Sequence, residues 1–231
     1  MIKAIFVDFY GTLVEEDDKI ISSIIENIVN YSNNKNLNKS DIGQYWWKEF
    51  VSLCNIHNGN NFKLQKEIEY ISLSNTVLKF NSNINVKNEL EKMFEYWKKP
   101  TIFSDSMVFL ENIKLPVIIV SNIDNNEIQE AVANNNISVE KIITSEDALF
   151  YKPNENIFKM AMEKYNLNAN EIIHIGDSIS NDIAGANKVN IRSIWLNRND
   201  RQNQTNVIPG LIAKDFIEII ENIDKIYGKN K

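Results

Sequence analysis

Asp8 stands at the end of a short apolar run, Ile5-Phe6-Val7, directly before the turn Phe9-Tyr10-Gly11-Thr12. A buried strand therefore delivers a carboxylate onto a glycine turn, the placement expected of a nucleophile or a hard metal ligand. Complementary groups follow at three later points. Ser121-Asn122 ends the apolar run Val117-Ile118-Ile119-Val120, Lys152-Pro153 follows Lys141-Ile142-Ile143 by a short loop, and Gly176-Asp177 ends Ile172-Ile173-His174-Ile175. Asp8 and Asp177 are oxygen ligands suited to Mg²⁺, which takes one or two carboxylates together with water and substrate oxygens. Lys152 supplies a cation for an anionic group, Ser121 a hydroxyl for the same oxygens, and Gly11 lets backbone N–H groups approach an oxyanion closely. A carboxylate, a divalent cation, a lysine and a hydroxyl about one point describe phosphoryl transfer through an aspartyl intermediate.

The elements that must position these groups change character twice along the chain. Residues 2–8 read as a strand buried on both faces, and residues 16–99 as helical throughout. In that stretch Ile20, Ile21, Ile24, Ile25 and Ile28 recur at helical spacing, and Ser40-Asp41 caps a second helix carrying Tyr45, Trp46, Phe50 and Leu53. A third helix runs over 62–80 and a fourth over 86–97, closed by Lys99-Pro100. Strands are then expected at 117–120, 141–143, 172–175 and 191–196, separated by helices at 126–134, 154–165 and 183–188, with a last helix at 216–226. Such alternation means right-handed crossovers and a parallel sheet. The expected fold is α/β: a doubly wound, Rossmann-like core of residues 1–14 and 104–231, with an all-helical cap domain of residues 15–103 inserted. In an open parallel sheet, ligands bind beyond the carboxyl ends of the strands, where the chemistry-bearing residues fall.

The ordered set Asp8-Phe9-Tyr10-Gly11-Thr12, Ser121-Asn122, Lys152-Pro153 and Gly176-Asp177-Ser178-Ile179-Ser180-Asn181-Asp182 resembles the four motifs of the haloacid dehalogenase superfamily of hydrolases. The resemblance covers core and cap alike. It implies that Asp8 is the nucleophile, that Ser121 and Lys152 steady the transferred group, and that Asp177 binds Mg²⁺ with Asp182 nearby, directly or through water. It also implies that the backbone carbonyl of Tyr10 is a metal ligand. Gly11, Thr12 and Asn122 within these motifs, with His57 in a loop of the cap, are the candidate substrate-binding residues.

Position 10 departs from the family's phosphatases. There a second Asp protonates the leaving oxygen and then activates water, whereas Tyr10 has no carboxylate. General acid–base help is worth about 10²–10⁴ in rate, and a phenol of pKa near 10 is a poor base at neutral pH. Tyrosine at this position resembles the 2-haloacid dehalogenases, where halide leaves unprotonated and no metal is required. The fourth motif points the other way, since those dehalogenases keep one acidic residue there and this chain has both Asp177 and Asp182. They also use a cap arginine, and arginine occurs here only at Arg192, Arg198 and Arg201. Two or three carboxylates crowded in one cleft without a cation are electrostatically costly. The Mg²⁺-dependent phosphatase is therefore favoured. A metal-free dehalogenase-type hydrolase and a weakly catalytic binding or regulatory protein on the same scaffold are the alternatives. A phosphonate hydrolase with a Schiff-base lysine among Lys48, Lys63 and Lys66 ranks below them.

Bulk properties narrow the partners. A formal charge of −6 and a pI near 5.1 argue against nucleic acid or an anionic membrane surface and for a small molecule, expected to be anionic. The single cysteine, Cys54, excludes an internal disulfide and a multi-cysteine metal site. With no apolar leader or membrane-length apolar stretch, a cytoplasmic monomer or homodimer is expected. His174 reads as a core histidine, Trp46 and Trp47 must face different ways on their helix, and Asp147 is placed to orient Lys152.

Overall fold

The computed structural model describes residues 1–34 and 36–227. Among them, six strands form one parallel sheet: β1 (Ala4–Val7), β2 (Val117–Ser121), β3 (Lys141–Thr144), β4 (Ile172–Gly176), β5 (Arg192–Leu196) and β6 (Leu211–Ala213). Their order is β3-β2-β1-β4-β5-β6, every neighbouring pair parallel. The chain winds outward in one direction from β1 through β3 and in the other from β4 through β6. The two halves meet at β1 and β4, the switch point where such sheets open a crevice. Phe6 lies opposite Ile118 on β2 and His174 on β4, so Asp8, Ser121 and Asp177 emerge at one edge of the sheet, at or just past the ends of adjacent strands. The fold is the α/β, Rossmann-like arrangement expected, because strands with no polar alternation must be covered on both faces.

The helices are α1 (Asp18–Asn30), α2 (Lys39–Ile56), α3 (Gln65–Lys79), α4 (Val86–Lys98), α5 (Ser104–Asn112), α6 (Asn125–Asn134), α7 (Ser145–Ala148), α8 (Glu155–Lys164), α9 (Ala184–Lys188) and α10 (Phe216–Tyr227). Compactness divides the chain into two units, one of residues 1–16, 101–122 and 135–231, the other of residues 17–100 and 123–134. In the first, α8 packs on β2 and β3, burying Ile157, Phe158 and Ala161 against Phe6, Ile118, Val120 and Ile143. Phe109 of α5 stacks on Phe216 of α10 at 4.4 Å.

The second unit is helical. The sequence-based boundaries leave 123–134 with the sheet, whereas the structure groups α6 with the helices. Ile128 and Ala131 are buried as α6 packs on α4, the Asp124 carboxylate accepts from the first amides of α3 (Gln65 N at 2.7 Å, Lys66 N at 3.1 Å), and Glu127 pairs with Lys66 at 2.8 Å. Hydrophobic period cannot reveal such side-chain-to-backbone caps across nearly sixty residues. Trp46 is buried and Trp47 is exposed, as their adjacency requires.

The sequence reading missed α5, α7 and β6. In α5 the apolar residues 107–110 are contiguous and not periodic, α7 is one turn, and β6 is three residues on the sheet edge. Among the described residues no helix is long and apolar enough to cross a membrane.

The helical unit also buries a carboxyl. Trp46 Nε1 donates to Ser72 Oγ at 3.0 Å, and Ser72 Oγ donates to Glu69 Oε2 at 3.3 Å. Burial first, then the neighbouring Asp17, pushes Glu69 up from 4.5 to about 8. A carboxyl whose folded pKa is raised binds its proton more tightly folded than unfolded, so its contribution is full below the unfolded value and is lost as pH rises through the folded one. The protein should therefore lose stability on the order of a few kcal/mol between about pH 5 and pH 8.5. Glu69→Gln should flatten that slope in thermal melts at the two pH values. Identical slopes for wild type and variant would refute the assignment.

Candidate active site

Beyond β1 the chain turns back on itself at once. The Phe9 carbonyl accepts the amides of Thr12 (3.3 Å), Leu13 (2.8 Å) and Val14 (3.1 Å), and Gly11 N donates to Val14 O at 2.8 Å. Gly11 has φ +77°, and a Cβ there would meet Glu16 Oε1 at 2.7 Å and Asp177 Oδ1 at 2.8 Å. Glycine is thus required both by conformation and by the close approach of Asp177. Asp8 is buried, and its Oδ1 accepts from Ser121 Oγ at 2.8 Å and lies 2.7 Å from Lys152 Nζ. Both partners fall on Oδ1, which fixes the carboxylate plane and leaves Oδ2 as the oxygen suited to attack.

Lys152 is held by backbone and side chain together. Its N–H donates to Asn122 Oδ1 at 2.7 Å, and Asn122 Nδ2 donates back to the Lys152 carbonyl at 3.1 Å. Its ammonium donates to Val120 O at 2.9 Å, to Asp182 Oδ1 at 2.6 Å and to Asp8, which matches its three hydrogens. Asp147, expected to orient this lysine, instead accepts from Thr144 N at 3.3 Å in the cap of α7. The orienting carboxylate is Asp182.

Asp182 reaches Lys152 because residues Ile179–Ile183 form a π-helical turn, in which Asp182 N and Ile183 N both donate to Ser178 O, at 2.9 and 3.3 Å. The wider turn swings Asp182 back beneath β4, as π-bulges at functional sites often do. A side chain at Gly176 would collide with its Cγ. Asp182 Oδ2 accepts from Ser178 N at 3.0 Å, and Oδ1 lies 3.1 Å from His174 Nε2. His174 is fully buried, as expected of a core histidine, and its Nε2 takes the donor role toward a carboxylate.

Asp177 closes the cluster. Its amide donates to Thr12 Oγ1 at 3.1 Å, Thr12 Oγ1 lies 3.4 Å from its Oδ1, and its carbonyl accepts from Trp195 Nε1 at 2.8 Å. Carboxylate oxygens of Asp8, Asp177 and Asp182 all lie within 4.8 Å of one another.

The charges are strongly coupled. Burial, then Asp182, pushes the Asp8 carboxyl up, although Lys152 and Ser121 pull it down. Asp177 is pushed up to about 7 by burial, then Asp182 and Asp8, against the pull of Arg201. Burial also acts to raise Asp182, but Lys152 and His174 outweigh it and hold the group at about 2. Burial lowers Lys152, yet Asp182 and Asp8 outweigh burial and raise it. Asp182 and Lys152 are therefore a settled ion pair, while Asp8 and Asp177 carry the cost of like charge at close range. A hard divalent cation between oxygens so placed relieves that cost, and the all-oxygen donor set fits Mg²⁺.

Of the residues singled out from sequence, the structure brings together Asp8, Gly11, Thr12, Ser121, Asn122, Lys152, Asp177 and Asp182, with Tyr10 in the same turn. The Tyr10 ring is half-buried and meets Phe9 edge-on at 5.0 Å. The Asn122 amide and the Thr12 hydroxyl face the protein's own groups. His57 lies in the helical unit, at the C-terminal end of α2, its Nδ1 3.1 Å from Asn61 O. Sequence reading missed Arg198 and Arg201. Arg198 donates to Thr12 O at 3.0 Å and to Asp105 at 2.8 Å, and Arg201 donates to Asp177. The one available signal was that two of the three arginines, Arg198 and Arg201, closely follow the C-terminal end of β5.

A family model described as haloacid dehalogenase-like hydrolase matches residues 2–190. "Haloacid dehalogenase-like hydrolase domain-containing protein 3" of Danio rerio is 39% identical over 61 residues, 26% of this chain and 25% of that protein. A glyceraldehyde 3-phosphate phosphatase of Pyrococcus abyssi is 36% identical over 57 residues, 25% of this chain and 24% of that protein. The matched stretch thus spans about a quarter of the length of these relatives. Among solved structures, the L-2-haloacid dehalogenase RSc1362 shares the fold at TM-score 0.78 and 18% identity, covering 96% of this chain and 99% of that one.

Proposed function

The chain belongs to the haloacid dehalogenase-like hydrolases, and from that membership we propose that it is a Mg²⁺-dependent phosphatase acting on a small phosphorylated metabolite through an aspartyl-phosphate on Asp8. The carrying observation is the convergence within 4.8 Å of three carboxylates, one after β1 and two after β4, beside a buried lysine. In this reading the sheet unit is the catalytic core and the helical unit is the cap that selects substrate, with His57 a candidate contact. The acidic net charge supports a small-molecule substrate and no nucleic-acid or membrane partner, in a cytoplasmic monomer or homodimer.

Asp8, Asp177, the Tyr10 carbonyl and, directly or through water, Asp182 would hold Mg²⁺, which supplies charge neutralisation for the phosphoryl oxygens. Asp8 Oδ2 attacks phosphorus, and the bond from phosphorus to the leaving oxygen breaks with its electron pair on that oxygen. Lys152 and Ser121 fix Asp8 through Oδ1 and stand beside the oxygens that gain charge. Water then forms a new bond to phosphorus, the bond from phosphorus to Asp8 Oδ2 breaks with its electron pair returning to the carboxylate, and the water proton leaves with the phosphate. Asp182 keeps Lys152 charged and in place, while Asn122 clamps the lysine's backbone.

Tyr10 leaves the carbonyl ligand in place and removes the carboxylate that would protonate the leaving oxygen. The expected substrates are therefore those with acidic leaving groups. Tyr10→Asp should raise turnover of an alkyl phosphate about 10²-fold or more without changing Mg²⁺ affinity. A variant that binds Mg²⁺ as wild type does yet turns over no faster would overturn the account of the missing acid.

Tyr10 also favours a second reading, a metal-free dehalogenase-type hydrolase in which Asp8 displaces halide from carbon. The two part in one assay, with p-nitrophenyl phosphate and 2-chloropropionate offered side by side in Mg²⁺ and in chelator. The phosphatase reading expects phosphate release that chelator stops. Halide release that persists in chelator would replace it.

A further inference from the structure

Arg201 is not a dangling surface residue. It ends a closed turn after β5, in which Arg201 N donates to Asn197 Oδ1 at 2.8 Å, Asn197 Nδ2 donates to Arg201 O at 2.9 Å and Asp200 N donates to Asn197 O at 3.2 Å. Asn197 itself is buried. From this anchored turn the guanidinium reaches Asp177 twice, its Nη2 donating to the carbonyl at 2.7 Å and to Oδ2 at 2.9 Å. Asp177 is mostly buried and Arg201 half-exposed, with side-chain exposures of 12% and 49%, so the cation approaches from the solvent side.

The three metal-site carboxylates thus divide between two counter-cations. Asp8 and Asp182 share Lys152, which has no room to leave, since all its hydrogens are engaged in a buried site. Asp177 has Arg201, which can retreat into water at small cost because exposed ion pairs are worth little. A divalent cation taking Asp177 Oδ2 displaces the guanidinium, and one taking Oδ1 lies beside a fixed positive charge.

We infer that Arg201 is a tethered counter-cation that competes with the divalent metal for Asp177, so that metal occupancy and the position of the Arg201 guanidinium are linked. The inference rests on the metal site described under Proposed function. Linkage is reciprocal: whatever Arg201 contributes to holding Asp177, the metal must overcome.

Isothermal calorimetry with MgCl₂ alone, on wild type, Arg201→Ala and Arg201→Lys, tests it. Arg201→Ala should bind Mg²⁺ about two- to fivefold more tightly, and Arg201→Lys, which keeps the charge, should stay near wild type. Thermal melts give a second reading: Arg201→Ala should melt below wild type in chelator and level with it in saturating Mg²⁺. Binding by Arg201→Ala equal to or weaker than wild type overturns the inference and leaves the metal site standing. Binding by neither protein overturns both the metal site and the inference. Binding by Arg201→Ala alone supports competition in its strongest form.

Discussion

Asp8→Asn should lower turnover of every phosphoester by at least about 10⁴-fold while leaving the protein folded. The size of the loss follows from chemistry. An amide oxygen is neither charged nor nucleophilic enough to form the acyl-phosphate. The retention of fold follows from geometry. Ser121 Oγ and Lys152 Nζ both address Oδ1, and an amide oxygen in that place still accepts from both. Loss of one of three crowded carboxylates also relieves the repulsion that pushes Asp8 and Asp177 up. The melting temperature should hold or rise while activity vanishes. Residual turnover within about tenfold of wild type would mean that Asp8 is not the nucleophile.

Lys152→Met separates stability from catalysis at the same centre. The ammonium bridges Asp8 and Asp182 at 2.7 and 2.6 Å in a site closed to solvent, so its removal leaves two carboxylates facing each other. Breaking a buried pair from one side costs about 3–5 kcal/mol. Denaturant titration should show a loss of that size, together with loss of turnover. Adding Asp182→Asn removes one of the two orphaned charges and should return part of the stability and none of the activity. Unchanged stability in the single variant, or turnover regained in the double, would show that the lysine does not have this bridging part.

Much of this site was legible in the sequence because strand ends announce themselves. Asp8 and Ser121 each end an unbroken apolar run and Gly176-Asp177 one interrupted only by His174, and such runs fit a parallel sheet whose order puts those ends side by side. What escaped reading depends on geometry that periodicity does not carry. The π-helical turn that folds Asp182 under Lys152 has no distinct residue pattern, so the orienting role fell to Asp147, which is nearer in sequence. Asn122 was read as a substrate contact, yet its amide has the right donor and acceptor to clamp a backbone thirty residues away. Arg201 contacts Asp177 from a loop without regular structure, where spacing gives no direction. Grouping of α6 with the helical unit rests on Asp124 capping α3, a contact between segments nearly sixty residues apart.

In the proposed phosphatase, Tyr10 leaves a site whose carboxylates would hold Mg²⁺ without an acid for the leaving group. The most direct measurement is the dependence of kcat/KM on leaving-group pKa across aryl and alkyl phosphates at saturating Mg²⁺. Without a proton donor, the leaving oxygen must depart as an anion, and the rate should fall steeply as leaving-group pKa rises, with the slope flattening in Tyr10→Asp. A flat dependence in the wild-type protein would show that the leaving oxygen is protonated after all and would contradict the account.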